Sequence, residues 1–192
     1  MAALLPTCLT RARLLRARLA RTTALLSLLM PVLAGCGGGT EETFAPACPN
    51  VGLVRDAADL VRYRGAGRDL TDLVLNGRLT GVGGSCKRDG SSTVVTAVQV
   101  GIELRRGPAA PGRQAQLAYF VAVLDGDRIL DKQVFQLRAE FPANADRLRL
   151  SGDAVELRLP VKPDKTAATY RVQIGFQLTP LELEVNRKRL GQ

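Results

Sequence analysis

Four cysteines, Cys8, Cys36, Cys48 and Cys86, have the widest chemistry open to them in this 192-residue chain, which has no histidine. A thiol can be acylated, can close a disulfide or can ligate a metal. Without histidine the chain lacks the usual general base, the commonest metal ligand and the ordinary pH switch. No serine stands with a recognisable base, so nucleophilic catalysis has no support. Asp125 and Asp127 flank Gly126 and could be taken for a carboxylate pair or a calcium loop. Calcium wants six to eight oxygens at regular loop spacing, and a hairpin turn accounts for both residues. Gly81-Val82-Gly83-Gly84-Ser85 suggests a phosphate cradle but lacks the following helix and Lys-Ser/Thr pair of a P-loop. A bulge or loop is the plainer reading. Asp69 and Asp72, near Arg64 and Arg68, read as a solvated turn. The expectation is a chain with no metal, no cofactor and no enzymatic activity.

Five arginines, Arg11, Arg13, Arg16, Arg18 and Arg21, precede an apolar run from Ala24 to Val32, with no acidic residue before it. A basic start, a short apolar stretch and small residues before a cleavage point make a secretory signal. A transmembrane helix needs roughly 20 apolar residues, about twice the span from Thr22 to Val32. Leu33-Ala34-Gly35-Cys36 resembles the lipobox of bacterial lipoproteins. That resemblance implies cleavage between Gly35 and Cys36, a diacylglyceryl group on the Cys36 sulfur, and membrane attachment through that residue. A mitochondrial transit peptide shares the charge logic, but it leaves Leu-Ala-Gly-Cys and the glycines after it as coincidence. Each buried methylene contributes about 0.8 kcal/mol, and two or three acyl chains hold where one holds only marginally. Gly37 stands where an aspartate commonly retains Gram-negative lipoproteins at the inner membrane. Its presence points to the outer membrane, with the protein facing the periplasm.

With Cys8 removed and Cys36 lipidated, Cys48 and Cys86 remain in a compartment where disulfides persist. Two thiols without a histidine or third cysteine make a poor zinc site. A Cys48–Cys86 bond would close a 39-residue loop, contributing about 4 kcal/mol through loop entropy. Removing residues 1–35 leaves 157 residues and lowers the net charge from +9 to +4. That length suits one domain with a substantial core. The charge is too mild for the clustered basic footprint of nucleic-acid binding. Eight aromatics and no tryptophan leave few stacking platforms.

Residues 36–47 read as a lipid-anchored flexible tether, with a reach near 20 Å in its Gly-rich regime. From residue 48 to 192 the hydrophobic period becomes two, the mark of half-buried strands. Val94, Thr96, Val98, Val100, Ile102 and Leu104 share one face. Tyr170 to Leu178, Phe135 to Phe141 and Val155 to Leu159 alternate in the same way, and Leu117 to Leu124 is apolar on both faces, as a central strand would be. Asp125-Gly126 and Asp89-Gly90 are hairpin signals. Ser151-Gly152-Asp153 and Pro163-Asp164 are turn chemistry, and residues 106–112 form a Pro/Gly loop. About seven strands with little helix predict an all-β, antiparallel sandwich of immunoglobulin or fibronectin type III style, with a closed barrel as the alternative. Thr179-Pro180-Leu181-Glu182 is a capping box opening a short C-terminal helix. Arg187, Lys188 and Arg189 then complement its dipole. Leu60 to Arg64 fits either a short strand or a turn of helix.

Arg106-Gly107-Pro108-Ala109-Ala110, Tyr119-Phe120-Val121-Ala122-Val123 and Gly175-Phe176-Gln177-Leu178-Thr179-Pro180 are distinctive, as are Leu183, Asn186 and Arg187. With Cys48-Pro49 and Gly84-Ser85-Cys86, they resemble a group of alphaproteobacterial lipoproteins of unknown function. The similarity spans Cys48 to Arg187 and implies one all-β domain in a Gram-negative envelope, without an activity. Two functions fit this sequence. The first is a non-enzymatic protein-interaction or structural module at the outer membrane, with an envelope protein as partner. The second is a lipoprotein that binds lipid or a small molecule.

Overall fold

The computed structural model describes residues 47–191. The expected signal sequence with its cleavage point at Gly35, the expected lipidation site Cys36 and the expected tether as far as residue 46 lie outside the described residues. The described chain is mostly β-structure, with two sheets and one short C-terminal helix. Its strands are β1 (Asn50–Leu53), β2 (Asp59–Tyr63), β3 (Leu73–Asp89), β4 (Thr93–Arg106), β5 (Gln114–Asp125), β6 (Arg128–Glu140), β7 (Arg147–Ser151), β8 (Val155–Pro160) and β9 (Tyr170–Phe176). The helix is α1 (Pro180–Arg189).

The first sheet runs β1-β9-β5-β6, with β1 parallel to β9 and the other pairs antiparallel. The second runs β2-β3-β4-β7, and β8 also pairs with β4. Strand periodicity places successive side chains on opposite faces, so each sheet has one apolar side. β4 turns its expected row from Val94 to Leu104 inward. β5 contributes Leu117, Tyr119, Val121 and Val123, and β9 contributes Tyr170, Val172, Ile174 and Phe176. All of these belong to one hydrophobic core lined by both sheets.

Asp89-Gly90 and Asp125-Gly126 form the β3–β4 and β5–β6 hairpins, with Gly90 at φ +68° and Gly126 at φ +60°. Glycine adopts that left-handed conformation without a steric penalty. Leu60 to Arg64 resolves largely as β2. The Gly81–Ser85 segment, expected as a bulge or loop, is itself strand within β3, and the register shift lies beside it between Leu79 and Gly81. Ser151-Gly152-Asp153 also differs from expectation. It does not turn the chain back, because β7 pairs with Gly101–Arg105 and β8 with Thr93–Val98 of the same strand. β7 and β8 are thus two halves of one line beside β4, interrupted at Gly152. The Gly152 N–H donates to the Val100 carbonyl at 2.9 Å. A Cβ at Gly152 would stand 2.6 Å from the Tyr119 hydroxyl, so the break makes room for a core aromatic.

Three fastenings hold the ends of this arrangement. Cys48 and Cys86 are disulfide-bonded with Cα atoms 5.9 Å apart, joining the chain before β1 to β3. Tyr170, 2% exposed at the start of β9, donates its hydroxyl to the Pro160 carbonyl at 2.8 Å. At α1 the capping box is present: the Glu182 N–H donates to the Thr179 hydroxyl and the Thr179 N–H to the Glu182 carboxylate. Glu182 also accepts from Arg62 of β2 at 3.0 Å, while buried Asn186 donates to the carbonyls of Asp56 and Asp59. The helix therefore packs on β2 and on the turn before it.

Two substitutions weigh these fastenings. Tyr170→Phe removes a buried hydrogen bond and should lower unfolding free energy by about 1 kcal/mol, read from chemical denaturation. Replacing Cys48 and Cys86 together with alanine should lower it by about 4 kcal/mol if loop entropy dominates. An unchanged midpoint in either case would remove that fastening from the account.

Candidate functional site

β5 lies between β9 and β6, and its even-numbered residues Phe120, Ala122 and Leu124 face away from the core. A strand inside a sheet covered on both sides reads as a continuous apolar run, and β5 has that composition. On its outward side a shallow groove of about 420 Å³ runs between β9 and β6. Phe120 and Leu124 form its apolar floor, with Val54 and Ile129 at the margins and Lys132 and Arg171 supplying charge. The Phe120 ring lies over Gly175, where a Cβ would meet its atoms at 2.9 Å. Lys132 places its ammonium 4.5 Å from the centre of the same ring, a cation–π contact. Arg171 is held by the Gly126 carbonyl and by Asp127 at 3.2 Å.

The groove continues onto β6, which among the described residues pairs only with β5 and ends the first sheet. Residues Arg128 to Val134 are all exposed, among them Ile129 at 59% and Val134 at 47%. An edge strand carries a row of backbone donors and acceptors without strand partners. Here that edge stands beside exposed aliphatic side chains. Arg128, Asp131 and Lys132 interrupt the apolar residues, as charged positions do on edges kept from aggregating. The opposite end of the second sheet differs, because α1 packs against β2.

The outer face of the second sheet is polar. Glu103 on β4 is surrounded by Arg149 at 2.8 Å, Arg105 at 3.5 Å and Arg147 at 3.7 Å. Hydrogen bonding and charge from Arg149, with Arg105 behind it, hold the Glu103 carboxyl below its ordinary range against a smaller opposing effect of burial. Arg78 pairs with Asp59 at 2.8 Å on the same face. The second sheet's exterior is therefore cross-linked by charge around Glu103, whereas the first carries an apolar patch at Phe120, Leu124, Ile129 and Val134 among polar residues such as Lys132, Arg171 and Gln173.

Cys48 and Cys86, read as a disulfide from the sequence, are brought together. Asp125 and Asp127 are separated into different ion pairs: Asp125 with Lys165 at 2.6 Å, Asp127 with Arg171. Among the described residues, no group of three His, Cys, Asp or Glu side chains is placed to hold a metal ion. Asp72 closes the turn expected around Asp69 by accepting from the Arg64 N–H, and Arg68 stacks over Tyr63. The exposed start of β6 was not anticipated. Its signal is Ile129-Leu130 directly after a hairpin turn, but the apolar residues there do not alternate as those from Phe135 onward do.

Lys165, through its hydrogen bond and charge, holds the Asp125 carboxyl below its ordinary value, and Asp125 raises Lys165 in turn. A depressed carboxylate adds stability above its unfolded value near 3.9, and that stability is lost as pH falls through the folded value. The stability difference between the natural chain and Asp125→Asn should therefore be present at neutral pH and shrink below about pH 4. A difference independent of pH in denaturation experiments would show that the ion pair contributes nothing.

No protein-family model, curated protein or solved structure matches this chain.

Proposed function

We propose that this chain is a lipid-anchored envelope lipoprotein, held at the outer membrane through Cys36 and acting there as a non-enzymatic protein-interaction or structural module. The observation that carries the interaction reading is the exposed β6 edge beside the Phe120–Leu124 face of the first sheet. An edge strand can accept a strand from another protein, with main-chain hydrogen bonds giving affinity and side-chain pockets giving specificity. Ile129 and Val134 would supply the apolar part of that contact. The anchored reading rests on Leu33-Ala34-Gly35-Cys36 and on the arginine-rich start before it.

An immunoglobulin or fibronectin type III-like arrangement is the fold we favour within the two-sheet class. Two features support it. The chain passes from β3-β4 to β5-β6, back to β7 and β8, and again to β9, alternating between sheets as such sandwiches do. Tyr170 opens β9 and bonds back to the end of β8, in the manner of the tyrosine corner of immunoglobulin-like domains.

The test is crosslinking in intact cells followed by affinity purification of the tagged chain, with Cys36→Ser and Ile129→Asp/Val134→Asp as comparisons. The expected result is a discrete protein partner captured by the natural chain and lost from both variants. Mass spectrometry of the N-terminal peptide should show acylation at Cys36. Failure to capture any partner above the controls would overturn the interaction reading, and an unmodified Cys36 would overturn the anchor.

A further inference from the structure

The side chains that β6 turns outward are set by its pairing with β5. Phe120 stands opposite Val134, Ala122 opposite Lys132 and Leu124 opposite Ile129, and residues directly opposite in adjacent strands share a face. Leu130 falls at the register shift between Val123 and Leu124 and has no β5 partner. The outward margin of the sheet therefore reads apolar, cationic, apolar, from Val134 through Lys132 to Ile129. β5 matches all three with unbroken alternation, so a regular strand on the other side can do the same. On the inward side the positions between them are polar, with Gln133 donating to Asp131 at 2.9 Å.

Lys132 is the distinctive member of this row. Its ammonium lies 4.5 Å from the centre of the Phe120 ring, which keeps the charge on the outward face. Among the described residues no carboxylate forms an ion pair with it, whereas Arg105, Arg147 and Arg149 share Glu103 and Arg171 has Asp127. A lysine on an edge strand bars unwanted pairing, and it also selects among strands. Like charges directly opposite across a strand pair are unfavourable, and opposite charges favourable. A second copy of this segment does not meet that requirement, because Ile129, Lys132 and Val134 bring no carboxylate to the outward face.

We infer that the strand added at β6 comes from another protein and carries an acidic residue between two apolar ones at alternate positions. Its carboxylate faces Lys132, its apolar side chains cover Ile129 and Val134, and polar residues occupy the positions between. This inference rests on the interaction reading proposed above and names the chemistry of the partner for that same edge.

The experiment uses the full-length chain carrying Cys36→Ser and follows methyl resonances as the capped heptapeptide Thr-Val-Thr-Glu-Thr-Val-Thr is added. The same peptide with lysine at its centre is the counterpart, and both read alike in either strand direction. Saturable shifts should appear at Ile129 and Val134 and not at Val172 in the core. The acidic peptide should bind about tenfold more tightly than the lysine peptide. Lys132→Glu should reverse that order, and Lys132→Arg should keep it. Proline in place of the two central threonines should remove binding, since their main-chain donors are lost. Absence of saturable shifts would overturn the inference, as would equal affinity for the two peptides or an order unmoved by Lys132→Glu. Stronger shifts with decanoate than with the acidic peptide would also overturn it, giving the outward face to a lipid anion. In cells, a partner still captured by Lys132→Glu but lost from Ile129→Asp/Val134→Asp would remove this inference alone and leave the interaction reading standing.

Discussion

The packing of β4 against β5 and β9 is the constraint on which the rest of this structure depends. From Val94 to Leu104 every second residue of β4 is buried, and these side chains share one core with Leu117, Val121, Val172 and Ile174 of the other sheet. Strand register cannot slip by one residue under such a pattern, because the whole apolar set would move to the opposite face. β4 also pairs on both flanks, with β3 along one and with β7 and β8 along the other. Its inward row therefore fixes the second sheet and, through the core, the position of the first.

Once the inward faces are fixed, the outward faces become the informative surfaces, and they are unlike. On the second sheet, Arg105, Arg147 and Arg149 gather around Glu103, making a face that is satisfied by its own charges. On the first, β5 carries Phe120 and Leu124 outward and β6 adds Ile129 and Val134, with no further strand beside it among the described residues. Surface ion pairs contribute little to stability, so the charged face chiefly keeps that side soluble. The apolar patch on the first sheet offers area whose burial against a partner would be favourable, at roughly 25 cal/mol per Å².

Much of this was legible in the sequence where period-two alternation was unbroken. The inward rows of β4, β8 and β9, the two Asp-Gly hairpins and the Thr179 capping box follow from local rules, and the Cys48–Cys86 pair from the count of cysteines left beyond the expected signal and lipidation site. β5 was recognisable as a central strand because Leu117 to Leu124 is apolar on both faces. Legibility failed where glycine replaced an inward side chain. Gly77 sits where a Cβ would crowd Leu104 and Phe176, so the first half of β3 lacks an apolar residue at a core position. Gly152 looks like a turn residue yet serves to admit Tyr119. β1 gave no clear strand pattern either, since it is four residues long and is recruited by parallel pairing with β9.

The disulfide ties the chain just before the edge strand β1 to β3. The β6 edge lies on the other side of the first sheet, at the end of the strand order farthest from β1. The proposed protein partner would add its strand at that edge. The most direct measurement of that claim is amide hydrogen exchange along Arg128–Val134, compared between isolated native membranes and the purified chain. These amides should exchange slowly in the membrane preparation and rapidly when purified, while those of β7 and β8 are unchanged. Equal exchange of the β6 amides in the two preparations would contradict it.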